Sequence, residues 1–125
     1  MKANELEMAV IGHLLADSEL SPIKTKVNFA AVAVRDRELT GAGFLTDFER
    51  SEELKLFADG VSLQWGKVGA RLNASSLETG YLIYIDDGYL TTIEGYTYGE
   101  EWPDNVEQME LYQLKPGMEL PKASG

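Results

Sequence analysis

The chain has 125 residues, enough to bury one apolar core without metals or disulfides but too few for two, so we expect a single domain over residues 1–125. Hydrophobic residues make up 44% of the chain and charged residues 26%, which excludes an intrinsically disordered protein. The net charge of −10 argues against nucleic acid as a ligand, because a phosphate backbone is bound by a basic surface.

The first predicted element is a helix over residues 5–16. Asn4 is suited to cap it, because its side chain can accept a bond from the helix backbone while Glu7 reaches back. A homodimer would use either the outer sheet or the narrow face of small residues on this helix. That face consists of Ala9, Gly12 and Ala16.

The next segments predict a hairpin. Residues 27–34 are apolar in both alternating sets, which favours a central strand, and residues 35–38 favour a charged turn. Residues 39–48 are expected to return as the second strand, where Gly41 and Gly43 indicate a bulge or a close approach of the backbone.

A third strand and a last strand are predicted on either side of a second hairpin. Residues 61–65 alternate between apolar and polar side chains, and residues 68–72 extend that strand past Gly66. Residues 106–114 are expected to return as the last strand, and residues 1–3 and 116–125 are expected to fray.

The second hairpin carries the strongest local signal. Residues 81–85 and 89–93 favour strands, and Asp87-Gly88 between them is typical of a tight turn. The elements together predict an α+β fold in which the N-terminal helix packs on a bent, mainly antiparallel sheet of five or six strands.

The expected location is the cytoplasm. No apolar run is long enough to span a membrane, and residues 1–7 lack the basic start of a signal peptide. The absence of Cys fits a reducing compartment. We therefore expect no membrane partner.

The negative charge is concentrated in one part of the chain. Residues 72–114 contain nine acids and no Lys or Arg, and they also hold all six tyrosines. Tyrosine supplies contact area at a low cost in rotamer entropy, and acids select a basic protein partner. The residues expected to form this binding surface are Tyr89, Tyr96, Tyr98, Glu100, Glu101 and Trp102.

Few residue types used in catalysis are present. With His13 as the single histidine and no cysteine, zinc sites, Cys/His pairs and Ser-His-Asp triads lack their parts. Residues 86–88 lack the alternating ligands of a calcium loop. We expect no metal and no cofactor, and an enzyme is less expected than a binding protein.

Two carboxylates occupy unexpected positions. Glu7 falls in the apolar arc of the helix, where it would stay wet as a cap, pair with an arginine or act as an acid of raised pKa. Glu94 lies between Ile93 and Gly95 in a neutral strand. A pocket that holds Glu94 with Asp47 or a tyrosine would make the protein a small enzyme or ligand-binding domain, which is the alternative function.

Two segments resemble a group of small uncharacterised bacterial proteins. They are residues 39–48 (LTGAGFLTDF) and 90–103 (LTTIEGYTYGEEWP), and the likeness extends over residues 27–105. The resemblance implies a bacterial cytosolic domain and brings no assigned activity. In size and acidity the chain is also similar to immunity proteins, which bind and block a cognate toxin. The expected function is a non-enzymatic protein-binding module of immunity type.

Overall fold

A computed structural model of the protein describes residues 1–73 and 77–114. One α-helix precedes six strands within these residues, and two short 3-10 turns lie at Phe29–Ala31 and Glu52–Leu54. The predicted α+β fold is confirmed. The elements are α1 (Glu5–Leu15), β1 (Val34–Leu39), β2 (Gly43–Phe48), β3 (Leu63–Leu72), β4 (Leu77–Asp86), β5 (Tyr89–Thr97) and β6 (Met109–Gln113).

The six strands form one open sheet in the order β1-β2-β5-β4-β3-β6, and every neighbouring pair is antiparallel. The connection from β2 to β3 crosses the sheet, so the β4–β5 hairpin fits between these two strands. Strands β1 and β6 therefore form the two edges.

Strand alternation gives the sheet two different faces. One face packs against α1 and contributes most of the core. Side chains of the opposite face are half-buried or exposed, and the one α-helix of the described residues does not cover them. The buried residues of the covered face include Phe44, Trp65, Val68, Tyr81, Ile83 and Ile93.

Helix α1 begins and ends close to its predicted bounds. Asn4 and Glu7 form the expected capping box, each side chain accepting a bond from the other residue's backbone. The face of small residues is directed away from the core, because a Cβ added at Gly12 would have no atom within 4 Å among the described residues. The homodimer stays a prediction.

The predictions for residues 27–38 were wrong. In place of the central strand expected over residues 27–34, residues 27–33 form a loop with a 3-10 turn, in which Asn28 accepts a bond from the Ala30 amide, and Val34 starts β1. The expected charged turn over residues 35–38 is instead most of the edge strand β1. An edge strand tolerates charged side chains on both of its faces because the rest of the protein covers it only in part. Charges on an edge strand also discourage pairing with a strand of another molecule.

The predicted second strand over residues 39–48 was partly wrong, because Leu39 ends β1, Gly41 turns the chain with a φ of 85°, and β2 begins at Gly43. The later strands lie close to their predicted positions. Asp87 and Gly88 have φ of 49° and 86°, so both central residues of the β4–β5 turn adopt the left-handed conformation that the hairpin signal implies. Strand β3 runs through an irregularity between Trp65 and Val68. At the N-terminus, the Met1 carbonyl accepts a bond from the Val34 amide. Residues 116–125 lie outside the described residues.

Candidate functional site: the open face of the sheet

The face of the sheet opposite α1, called the open face below, is a surface of tyrosines and carboxylates. Burial of Thr79, Tyr81 and Ile83 on the covered face turns the alternate residues of β4 to the open face. The same alternation holds along β5 and β6. The polar, charged and aromatic residues of this face are Asp36, Glu38, Asp47, Glu78, Tyr84, Thr92, Glu94, Tyr96, Glu110, Tyr112 and Arg71, with Arg35 and Tyr98 beside them.

Two tyrosine rings of the open face lie across glycines of the neighbouring strand. Tyr96 is paired with Gly80 and Tyr112 with Gly69. A Cβ built on Gly80 would be 2.6 Å from the Tyr96 ring, and one built on Gly69 would be 2.9 Å from the Tyr112 ring. The rings therefore use the space that side chains would fill, and they lie low over the sheet. Tyr98 meets Tyr96 edge to face, with the ring centroids 5.7 Å apart.

Two hydroxyl groups of this face donate to carboxylates. The Tyr84 Oη donates to Glu94 Oε1 at 3.1 Å, and the Tyr112 Oη donates to Glu78 Oε2 at 3.1 Å. Partial burial and the adjacent Glu78 raise the pKa of Tyr112 to about 12, and burial and Glu94 also raise the pKa of Tyr84. Both tyrosines are therefore neutral donors at physiological pH, and they hold the carboxylates in place.

Negative charge dominates the open face. The carboxylates are Asp36, Glu38, Asp47, Glu78, Glu94 and Glu110. Both arginines of the face are already paired: Arg35 lies 3.9 Å from Asp47, and Arg71 lies 3.3 Å from Glu78 and 3.9 Å from Glu110. The carboxylates therefore outnumber the cations that could neutralise them.

Four of the six predicted surface residues lie at one end of the sheet. Tyr96 belongs to the open face, and Tyr98 follows it at the end of β5 with 40% of its surface exposed. Glu100 and Glu101 are exposed in the loop that leaves β5. This part of the prediction describes one end of a larger acidic and aromatic surface.

The other two predicted surface residues lie elsewhere. The Trp102 ring turns towards the core, 5.0 Å from the Phe44 ring and 6.4 Å from the Tyr81 ring. Tyr89 starts β5 and is roughly 23 Å from Tyr96, at about 3.3 Å per residue. There the Arg50 guanidinium lies 4.3 Å and Lys55 Nζ 5.6 Å from the Tyr89 ring centroid, while the Tyr89 hydroxyl donates to Glu52 Oε1 at 2.9 Å. Tyr89 therefore lies in a cluster of both charges, away from the acidic face.

The two candidate catalytic carboxylates, Glu94 and Asp47, share the open face. Glu94 is paired with Leu45 in the neighbouring strand, and Asp47 is paired with Thr92, two residues before Glu94. Thr92 Oγ1 donates to Asp47 Oδ1 at 2.7 Å. Their hydrogen-bond partners are thus side chains of the same sheet surface.

Sequence reasoning missed Tyr84, Tyr112 and Glu78 as members of the surface. Tyr84 was predicted only as a strand residue of the hairpin. Tyr112 is 28 residues further along the chain, so the sequence did not show that the two share a face. The available signal was the presence of glycines inside the strands, Gly69 and Gly80, which mark a close approach of another group.

Glu7 is a structural carboxylate. Its side chain is 0% exposed, so the expectation that it stays wet was wrong, although the cap itself forms. The Arg37 guanidinium binds both carboxylate oxygens, at 2.6 Å through Nη2 and at 2.9 Å through Nε, and Thr46 Oγ1 donates a further bond. The expected alternative, pairing of Glu7 with an arginine, is therefore confirmed for Arg37. It offsets the cost of burying this charge.

A cleft of about 380 Å³ lies between the start of α1 and the loop at residues 102–106. Glu94 and Asp47 do not line it. Its apolar lining consists of Leu6, Leu39, Phe44, Trp102, Pro103, Val106 and Met109. Its charged lining consists of Glu5, Arg37 and Asp104.

No cluster of three or more potential ligand residues able to hold a metal ion is present among residues 1–73 and 77–114. The same part of the chain contains no helix long and apolar enough to cross a membrane. No protein-family model, curated protein or solved structure matches the chain. The resemblance to small bacterial proteins therefore stays a prediction.

Proposed function

We propose that the protein is a non-enzymatic binding module that takes a basic protein partner on the open face. The observation that carries the proposal is the charge balance of this face, where six carboxylates lie near two arginines that are both paired. A complementary basic surface would be attracted and oriented by this field, and unlike partners would be rejected.

The tyrosines supply the second part of the interface. The rings of Tyr96 and Tyr112 pack over the glycines of the neighbouring strands, and a tyrosine has few rotatable bonds, so they lose little conformational freedom when a partner covers them. Rings lying flat can also accept a lysine or arginine over their faces, each contact contributing about 0.5–1 kcal/mol at an exposed site.

The shape of the open face suits a protein better than a small molecule. Six strands span roughly 24 Å at about 4.8 Å per interstrand spacing, and the central strands are longer than this along their own direction. The area is of the same order as the roughly 800 Å² that each partner buries in a standard interface.

An immunity-type protein, which binds and blocks a basic toxin in the bacterial cytoplasm, is the form of this function that we propose. Such a partner would bring the positive charge that the open face lacks. The alternative, an enzyme or ligand-binding domain centred on Glu94, has less support, because Glu94 and Asp47 are bound by neighbouring side chains of a sheet surface.

Capture of partners from a lysate of the native host tests the proposal with matched baits. Glu38→Lys and Glu110→Lys each reverse an exposed charge at opposite edges of the open face. Glu107→Lys makes the same change in net charge in the loop just before β6. A Glu100→Lys/Glu101→Lys bait tests the loop at the end of β5.

We expect one protein to be retained at low salt and released at high salt. Each open-face reversal should weaken its binding about tenfold, which corresponds to about 1.4 kcal/mol, whereas Glu107→Lys should retain it. Retention that ignores salt and is equal for Glu110→Lys and Glu107→Lys contradicts the proposal. Loss confined to the Glu100/Glu101 bait would move the interface to the loop.

A further inference from the structure

The cleft beside the start of α1 is a preformed concave site on the opposite side of the sheet from the open face. Its volume of about 380 Å³ lies at the lower end of the range that small ligands occupy. The loop that forms one wall is fastened at two points: the Trp102 amide donates to the Gly41 carbonyl at 2.9 Å, and Asn73 Nδ2 donates to the Asn105 carbonyl at 2.8 Å.

The interior of the cleft is apolar and aromatic. Phe44 and Trp102 meet edge to face with ring centroids 5.0 Å apart, and Leu6, Val106 and Met109 extend this surface. Leu39, which is 70% exposed, lies at the rim. An apolar or aromatic group of a ligand that enters the cleft would therefore be removed from water, together with the apolar side chains that it contacts.

The one cation in the cleft lining is already neutralised. Arg37 binds both oxygens of Glu7, its Nη2 also donates to the Lys2 carbonyl at 3.2 Å, and its Nη1 lies 3.0 Å from the Met1 sulfur. An anionic ligand would have to compete with a buried carboxylate for this guanidinium, which is unfavourable.

The two acids of the lining are, by contrast, uncompensated. Among the described residues, neither the Glu5 nor the Asp104 side chain has a hydrogen-bond or ion-pair partner, and both residues are exposed at the cleft. Both acids line the same cleft as Trp102, so a cation that enters it is attracted by their charge and can stack on the indole, the aromatic ring that interacts most strongly with cations.

We propose that this cleft binds a small hydrophobic amine, with the ammonium group held by Glu5 and Asp104 and the apolar body against Phe44 and Trp102. The site is separate from the open face and does not depend on the function proposed for it. The site would recognise two parts of the ligand: the apolar group fills the cleft, and the two carboxylates at the rim attract the positive charge.

Titration with three matched probes tests both parts, with the two tryptophan indole N–H signals as the readout. The probes are 2-phenylethylamine, its neutral analogue 2-phenylethanol and its anionic analogue 3-phenylpropionate. A Trp102→Phe variant assigns the Trp102 signal. We expect a saturable shift of this signal with the amine at a Kd of about 1 mM, binding of the alcohol weaker by about two- to fivefold, and still weaker binding of the acid.

Variants distinguish the rim carboxylates from general electrostatics. Glu5→Gln and Asp104→Asn should each weaken amine binding about two- to fivefold and leave the alcohol unchanged, because each removes one charge but no apolar contact. Glu107→Gln, in the same loop but outside the lining, should leave amine affinity unchanged. Equal affinity for all three probes, no effect of the rim variants, or no Trp102 shift up to about 10 mM amine would overturn the proposal.

Discussion

The ring of Tyr96 occupies the space that a side chain at Gly80 would take. The two residues are direct cross-strand partners of β5 and β4, and a Cβ on Gly80 would lie 2.6 Å from the Tyr96 ring. Tyr112 and Gly69 repeat the arrangement between β6 and β3. The absence of a side chain at the paired glycine therefore lets each tyrosine ring pack close against the strands of the open face.

Substitution of Gly80 tests this relationship. Gly80→Ala should displace the Tyr96 ring and lower the free energy of unfolding by about 1 kcal/mol, since overpacking forces a side chain out of its position. Gly12→Ala, in α1 with open space around it, should instead raise stability by about 1 kcal/mol through helix propensity. Urea unfolding measures both. Effects of the same sign would contradict the packing described.

Because Glu7 and Arg37 form an ion pair, removal of the Arg37 side chain should lower the stability of the protein strongly. Arg37→Ala leaves a carboxylate that is 0% exposed without its counter-ion, so stability should fall by about 3 kcal/mol. Arg35→Ala, two residues before it in β1, removes a mostly exposed arginine 3.9 Å from Asp47 and should change stability by no more than about 0.5 kcal/mol. Similar losses in denaturant unfolding of the two variants would show that Glu7 is not buried.

Asp17 gives the protein a pH dependence in the acid range. The Trp65 indole donates to Asp17 Oδ2 at 2.7 Å and the Glu19 amide donates to Oδ1 at 2.9 Å, and these bonds hold the pKa of Asp17 below its usual range. The ionised form is favoured in the folded state, so this stabilisation is complete above the unfolded pKa, about 3.9, and is lost as pH falls through the folded pKa.

Comparison with Asp17→Asn isolates this contribution. The variant should be less stable than the wild type at pH 7, and the difference should stay constant down to about pH 4 and then shrink. Thermal unfolding at several pH values measures the difference. A gap that stays unchanged at the lowest pH would show that the Asp17 charge does not stabilise the fold.

Tyr112 predicts a change in the alkaline range. Its pKa is raised from 10.0 to about 12, first by burial and then by Glu78, so Tyr112 should stay neutral at pH 10. Because the unfolded chain ionises first, stability should fall between about pH 10 and about pH 12 and be unaffected by this group at lower pH.

A Glu78→Gln variant separates the two causes. The Tyr112 pKa should move down towards 10 but remain above it, since burial persists. The carbon shift of the Tyr112 phenol, followed by NMR against pH, reports this value directly. Titration of wild-type Tyr112 at its ordinary pKa would contradict both its burial and its hydrogen bond to Glu78.

The sequence predicted the helix, the central hairpin and the fold class because these depend on local signals. Asn4 and Glu7 are close in the chain, and Asp87-Gly88 sets its turn without help from distant residues. Residues 27–38 were misassigned because their roles depend on tertiary contacts. The apolar run packs against the core as a loop. The charged segment that follows it forms the edge strand β1, which is stabilised by the ion pair between Arg37 and Glu7.

The candidate site was only partly predictable for a similar reason. The coincidence of acids and tyrosines in residues 72–114 is visible in composition, but which side chains share a face depends on strand order and register. Tyr89 and Tyr96 lie on one strand yet at opposite ends, whereas Tyr96 and Tyr112 share a face although three strand spacings separate them. Only the sheet reveals these relationships.

The central claim, that the open face binds a basic partner, is tested most directly by fluorine NMR of protein labelled with 3-fluorotyrosine, which reports on six tyrosines. With the captured partner bound, the signals of Tyr84, Tyr96, Tyr98 and Tyr112 should shift or broaden. The signals of Tyr81, which is buried in the core, and Tyr89, at the far end of β5, should stay in place. A response confined to Tyr89, or none of the six responding to a bound partner, would contradict the claim.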